Sequence, residues 1–229
     1  MQWRRERMLL TSRPFSAMLP RVMEQLEIEL KFFIADLDPL RERIRSLGAA
    51  CTTERGFEHN VRYETDDDAL RRGNCLLRLR RDRTATLTFK SPPPASDPRF
   101  KTYRELEVTV EDFDTMDAIL NALGFTARQV YQKWRETWQL GDACLCLDSM
   151  PFGNFLEIEG PPASIMQSVR LLGLRWEHRI LASYLGMFAT LREAAKIDFA
   201  DLTFDNFAGI AIEFEHYRHR FEAEPDGAD

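Results

Sequence analysis

The stretch Leu26-Glu27-Ile28-Glu29-Leu30-Lys31-Phe32 alternates apolar and charged residues without a break. A period of two is the pattern of a β-strand, whose successive side chains point to opposite faces. Glu27, Glu29 and Lys31 therefore share one face, and Ile28, Leu30 and Phe32 share the other. A single strand of this kind would turn its charges to water and its apolar face to a core. The same arrangement recurs down the chain, and the recurrence sets the fold.

Downstream, Asp36 and Asp38 precede Pro39, an N-cap followed by a first-turn proline. Leu40, Ile44 and Leu47 follow at helical spacing, and Gly48 ends the helix. Strands are predicted over 57–65, 76–83 and 84–90, then a proline-rich loop from Ser91 to Phe100. The order then repeats. A strand over 102–110 leads to a helix capped by Asp112 and Asp114 and ended by Gly124, with strands near 130–139, 143–148 and 154–159. Glu27-x-Glu29, Asp36-x-Asp38 and Leu47-Gly48 match Glu105-x-Glu107, Asp112-x-Asp114 and Leu123-Gly124. This reads as an internal duplication. Two copies of a strand, a helix and three strands supply eight strands, a natural number for closure. The predicted class is α+β: a closed eight-stranded antiparallel β-barrel, a tunnel, with helices packed outside. A helix opened by Pro161-Pro162 and ended at Gly173, then another over 177–195, complete the reading.

The inner face of that barrel is charged. Arg78 and Arg80 oppose Leu77 and Leu79. Thr86, Thr88 and Lys90 oppose Leu87 and Phe89. Lys101, Tyr103, Glu105 and Glu107 oppose Leu106 and Val108. Lys133 and Arg135 flank Trp134. Cys144, Cys146 and Asp148 oppose Leu145 and Leu147, and Glu157 and Glu159 oppose Leu156 and Ile158. Some strands carry carboxylates and others only cations. Buried charge on this scale is costly unless neutralised. A polyanion with divalent cations would neutralise both classes, because carboxylates hold hard cations and Lys/Arg hold phosphate oxygens. The chain has 26 Arg and five Lys. Lys31, Lys90 and Lys133 lie on the inner face and Lys101 joins them, where a compact point charge suits a crowded bore.

Composition narrows the partners. The net charge of −6 and pI of about 5.4 argue against nucleic acid or an anionic membrane surface. No apolar run approaches the ~20 residues of a membrane span. Cys51, Cys75, Cys144 and Cys146 show no zinc-type spacing and read as reduced thiols of a cytoplasmic protein. His59, His178, His216 and His219 form no constellation. Residues 1–22 carry Arg4, Arg5, Arg7, Arg13 and Arg21 without a signal-peptide core. They are expected to be a disordered arm, or to lie upstream of a native start at Met23. The tunnel domain is placed at 23–190, with a helical extension over 191–229 whose end, beyond 222, is disordered.

These residues resemble the CYTH superfamily, the triphosphate tunnel metalloenzymes that include class IV adenylyl cyclase and thiamine triphosphatase. The resemblance rests on Glu27-x-Glu29-x-Lys31, Tyr63-Glu64-Thr65, Leu77 to Arg80, Thr86 to Lys90, Arg104 to Glu107, Lys133-Trp134-Arg135, Asp148 and Gly153 to Glu159. It spans roughly residues 25–188, and departs from the family at Glu64, where Asp is common. It implies an eight-stranded tunnel in which Lys31, Arg78, Arg80, Lys90, Lys133 and Arg135 hold the triphosphate. Lys31, Lys90 and Lys133 are the implied catalytic cations. Glu27, Glu29, Asp148, Glu157 and Glu159, with Glu105 and Glu107 as further candidates, would bind Mg²⁺ or Mn²⁺. The first expectation for function is ATP cyclisation to cyclic AMP and pyrophosphate. The alternatives are hydrolysis of tripolyphosphate, thiamine triphosphate or a nucleoside triphosphate, and a non-catalytic polyphosphate- or nucleotide-binding module. A homodimer is possible. The loop 91–100, between Lys90 and Lys101, is expected to gate one mouth of the tunnel.

Overall fold

The structure, a computed structural model, describes residues 25–210 and 212–223. The expectations for residues 1–22 and for the end of the tail fall outside these residues. Eight strands form in chain order: β1 (Gln25–Phe33), β2 (Ala50–Glu64), β3 (Leu76–Arg81), β4 (Ala85–Ser91), β5 (Lys101–Val110), β6 (Thr126–Leu140), β7 (Ala143–Met150) and β8 (Gly153–Glu159). They close into an antiparallel barrel in the order β1-β5-β4-β3-β2-β6-β7-β8. Helix α1 (Leu37–Ser46) follows β1, and α3 (Phe113–Ala122) follows β5. A single short turn of helix, α2 (Ala69–Arg72), links β2 to β3, and α4 (Pro162–Leu171) follows β8.

The duplication is visible in backbone detail. Asp36 caps α1 at φ −137°, ψ 122° and Asp112 caps α3 at φ −130°, ψ 119°. Both helices end at a leucine with φ −82°, followed by Gly48 at φ 78° and Gly124 at φ 90°. Those positive angles close the last turn and favour glycine. The halves do not pair internally throughout. β1 pairs with β8, β5 pairs with β4, and β1 and β5 lie side by side. Each half thus lends its first strand to the edge of the other.

The apolar faces of the strands point outward, as the alternation requires. Leu30 and Phe32 of β1, with Leu145, Leu147, Leu156 and Ile158, pack beneath Leu40 and Ile44 of α1 and Ile165 and Val169 of α4. Val61, Tyr63, Leu77 and Leu79 pack with Leu120 of α3.

Several boundaries depart from the sequence reading. β2 and β6 are longer than expected because they pair with each other from Ala50 and Gln139 to Glu64 and Thr126. Register shifts near Cys51, Thr53 and Gly56 break the alternation there, so the exposed arm Ala50–Arg55 carries no strand signature. The helix expected over 177–195 begins only at α5 (Tyr184–Ala195). Ahead of it, Ile180 is extended and exchanges backbone hydrogen bonds of 3.0 and 2.7 Å with Lys31, where β5 no longer covers β1. Ser183 then caps α5 through its side chain. Beyond Ala195 the chain is irregular apart from α6 (Phe214–Tyr217) and a 3₁₀ turn over Arg218–Arg220. This segment packs rather than projects. Leu202 pairs with the backbone of β6, and Phe207, Phe214 and Phe221 join Phe152, Phe155 and Phe188 in one apolar cluster. Because Phe33 and Phe155 share the inner faces of Lys31 and Glu157, that cluster plugs one end of the barrel. The loop 91–100, expected to gate one mouth of the tunnel, docks on the outside in this structure. Phe100 is buried in the outer core against Trp176, at 5.7 Å between rings, and no residue of 92–100 lines the bore.

Candidate active site

The bore follows from strand alternation inside a closed ring. Glu29 stands opposite Glu159 of β8 on one side and Lys101 of β5 on the other, and Lys31 stands opposite Glu157. Arg135 stands opposite Asp148, Lys133 opposite Glu58, Arg78 opposite Thr88 and Lys90 opposite Glu105. All of these except Asp148, Glu58 and Thr88 line a cavity of about 1030 Å³. Every residue expected to hold phosphate or metal lines this cavity except Asp148, which is fully buried.

The segregation of sign seen along single strands does not survive closure, because the ring sets cations beside carboxylates. Lys31, with 2% exposure, bonds to Glu29 and to Glu157 at 2.6 Å. Lys101 reaches Glu29 at 2.6 Å. Lys90 bonds to Glu27 and lies 3.5 Å from Glu105. Arg135 forms a fork on Asp148, with both bonds at 2.6 Å, and touches Glu157 at 2.6 Å and Glu159 at 3.7 Å. Lys133 lies 3.2 Å from Asp148 and 3.5 Å from Glu58. Arg78 and Arg80 face Glu107 at 3.8 and 3.9 Å.

The protonation states follow from this wiring. Burial alone would raise the Glu29 carboxyl and Glu157 adds to that, but Lys101 and Lys31 overcome both and hold it at about 2. Burial opposes the charge on Lys31, yet Glu157 and Glu29 raise its pKa. Lys101 is lowered, because burial outweighs Glu29. Glu157 is held well below the carboxylate range against burial by Lys31, Arg135 and Lys133. Glu159 is pushed well above it by burial, Cys146 and Glu157, which Arg135 offsets only partly.

Carboxylate oxygens of Glu27, Glu29 and Glu159 lie within 4.8 Å of one another. Three hard oxygen donors converging from adjacent strands fit Mg²⁺ or Mn²⁺, which take carboxylates, waters and substrate phosphates. Glu157 adjoins this set through Lys31. Glu105 and Glu107 lie on the neighbouring strand β5, beside Lys90, Arg78 and Arg80. Asp148 is fully buried and already engaged by Arg135, Lys133 and the hydroxyl of Tyr184, which donates at 2.7 Å.

Three contributors were not singled out from the sequence. Glu58 and Asn60 lie on the inner face of β2, whose alternation from Phe57 to Tyr63 carried the signal. The Asn60 amide is fully buried, and neither of its polar atoms has a partner among the described residues. The Nε atom of Arg78 is likewise buried without a hydrogen-bond partner, whereas that of Arg80 pairs with Asp82 at 3.2 Å. Buried polar groups left open in a charged bore fit an anionic ligand with many acceptors. The third, Tyr184, comes from α5. Its ring lies 5.2 Å from the Lys31 ammonium and 5.5 Å from that of Lys133. No strand motif could mark it.

The CYTH domain profile matches residues 25–172, well over half of the chain. The chain belongs to the CYTH family. A Methanocaldococcus jannaschii protein provisionally named an adenylate cyclase is 29% identical over 149 residues, covering 64% of this CYTH chain and 83% of that protein. A structure from Vibrio parahaemolyticus, also provisionally named an adenylate cyclase, superposes with a TM-score of 0.65 at 19% identity, covering 72% of this chain and 99% of that one. A Hippeastrum protein provisionally named an adenylyl cyclase, and described as having a dominant triphosphatase activity, superposes at 0.50 and 18% identity over 75% of this chain and 96% of its own. The C-terminal segment that supplies Tyr184 lies beyond the matched domain.

Proposed function

We propose that this CYTH protein is a divalent-metal-dependent enzyme acting on the triphosphate of a small molecule, with ATP cyclisation to cyclic AMP and pyrophosphate as the first reading. The observation that carries the proposal is the convergence of Glu27, Glu29 and Glu159 beside an inner wall of Lys31, Arg78, Lys90, Lys133 and Arg135. Phosphate oxygens suit the cations and a hard cation suits the carboxylates. Substrate binding is then an exchange. Lys31 would give up Glu29 or Glu157 for a phosphate oxygen and Lys90 would give up Glu27, which would leave those carboxylates available to hold a metal. A bound Mg²⁺ or Mn²⁺ would neutralise charge on the phosphates and on the leaving group. Lys31, Lys90 and Lys133 would hold the non-bridging oxygens in place as charge shifts along the chain of phosphates, and the apolar plug keeps bulk water from that end. Arg135 is clamped by Asp148, and Tyr184 fixes Asp148 in turn.

Hydrolysis of a triphosphate is the second reading, and uses the same cradle. The triphosphatase activity described for the Hippeastrum protein favours weighing it, since an adenylyl cyclase name on this fold does not fix the reaction. The test is to incubate the purified protein with ATP and, separately, with tripolyphosphate, each with Mg²⁺ or Mn²⁺, and to identify the products by chromatography. Cyclic AMP with pyrophosphate supports cyclisation. Inorganic phosphate from either compound supports hydrolysis. Unchanged substrates with both metals would refute both.

A further inference from the structure

Cys144 and Cys146 sit on the inner face of β7 beside Glu159, on the side of the bore away from the apolar plug. The Sγ atoms are 3.8 Å apart, and the Cys146 Sγ lies 3.9 Å from a Glu159 carboxylate oxygen. The two sulfurs and one carboxylate oxygen all lie within 4.8 Å of one another. Residues two apart on a strand share a face, but their side chains ordinarily run parallel; here the thiols lean together. A tetrahedral zinc with bonds to sulfur of about 2.3 Å sets its two sulfurs about 3.8 Å apart. The separation in the structure already has that value. Two thiolates and a carboxylate carry three negative charges, which a divalent ion and the neighbouring Arg135, 3.7 Å from Glu159, balance. Cys144 and Glu159 line the cavity, so an ion has a way in. Three protein ligands leave a fourth position for water, as in open zinc sites.

We infer that Cys144, Cys146 and Glu159 form a binding site for a soft divalent cation of the Zn²⁺ class. The spacing C-x-C gives no such signal in the sequence. It is the strand geometry and the arrival of Glu159 from β8 that complete the donor set. Glu159 also belongs to the hard-oxygen set with Glu27 and Glu29. A soft ion held by the thiols therefore takes a carboxylate away from Mg²⁺ or Mn²⁺, and the two ions compete. This consequence rests on the proposed function, whereas the site itself does not.

The test uses the full chain stripped of metal and titrated with Co²⁺ alone. One equivalent should give a thiolate-to-cobalt charge-transfer band in the near ultraviolet, and Zn²⁺ should abolish it by displacement. Cys144→Ser, and the double variant Cys144→Ser/Cys146→Ser, should lose the band, while Cys51→Ser/Cys75→Ser keeps it. Absence of the band in the wild type, or its survival in the double variant, overturns the site. Separately, Zn²⁺ should inhibit Mg²⁺-supported turnover of the wild type, and Cys144→Ser should be about tenfold less sensitive, as expected for loss of one zinc ligand. Equal sensitivity with the cobalt band intact overturns the competition and leaves the site standing.

Discussion

Glu29 holds two ammonium groups, Lys31 and Lys101, at 3% exposure. A buried pair broken on one side leaves an uncompensated charge. Glu29→Gln should therefore destabilise the protein by about 3 kcal/mol, the low end for a broken buried pair because Lys31 retains Glu157. Urea denaturation measures this. The same substitution should abolish metal-dependent turnover, as should Glu159→Ala, with the far-ultraviolet circular dichroism unchanged; wild-type turnover in either would overturn the metal assignment. The pH dependence has a definite sign. The folded pKa of Glu29, about 2, lies below its ordinary 4.5, so its contribution is present above pH 4.5 and is lost as pH falls towards 2. Stability measured across that window should fall less steeply in Glu29→Gln than in the wild type. Tyr184→Phe removes one hydrogen bond from Asp148 but leaves the Arg135 fork. It should cost about 1 to 2 kcal/mol, and lower turnover through misplacement of Arg135 rather than loss of a ligand to substrate.

At the scale of elements, the two halves make paired predictions. Asp36→Ala and Asp112→Ala each remove an N-cap at a matching position, and each should cost about 1 kcal/mol. The caps belong to separate helices, so the double variant should lose the sum. A shortfall in additivity, read from urea midpoints, would reveal coupling between the halves. The loop 91–100 makes a different one. Replacing 92–98 by a short Gly/Ser link, with Phe100 retained, should leave rate and product ratio unchanged, because the loop docks on the outside. A shift from cyclisation to hydrolysis would restore it as a gate. The strands, the two matched helices and the inward charges were legible in the sequence because each depends on a short periodic pattern. Glu27, Glu29 and Lys31 are fixed to one face by spacing alone. The interleaving of sign was not legible, since it depends on register between strands far apart in the chain. Nor was Tyr184, which reaches Asp148 from a helix, nor the irregular path after Ala195, whose phenylalanines obey no single period.

For the whole molecule, the mixed wiring of the bore changes what a ligand must do. An empty tunnel of one sign would welcome a bare polyanion. This one is internally paired, so phosphate must displace carboxylates, and these need a cation in return. Tripolyphosphate or ATP with Mg²⁺ should raise the melting temperature substantially, by mass action on the native state. The same compounds in excess chelator should give a much smaller shift. Equal shifts with and without metal would show that the carboxylates take no part in binding.

The exchange of first strands between the halves also bears on how the chain is made. β1 leaves the ribosome before the other seven strands of the barrel, yet its partners β5 and β8 begin at Lys101 and Gly153. Neither half can satisfy its own edges, so the nascent chain must keep an amphipathic ribbon waiting until most of the polypeptide has been synthesised. Long-range pairing of this kind slows folding and exposes intermediates to aggregation. The same dependence gives the halves an affinity for each other that no covalent link need enforce. Polypeptides divided within the surface-docked linker at 92–98 should be insoluble when expressed singly and should reconstitute a single cooperative unit when expressed together.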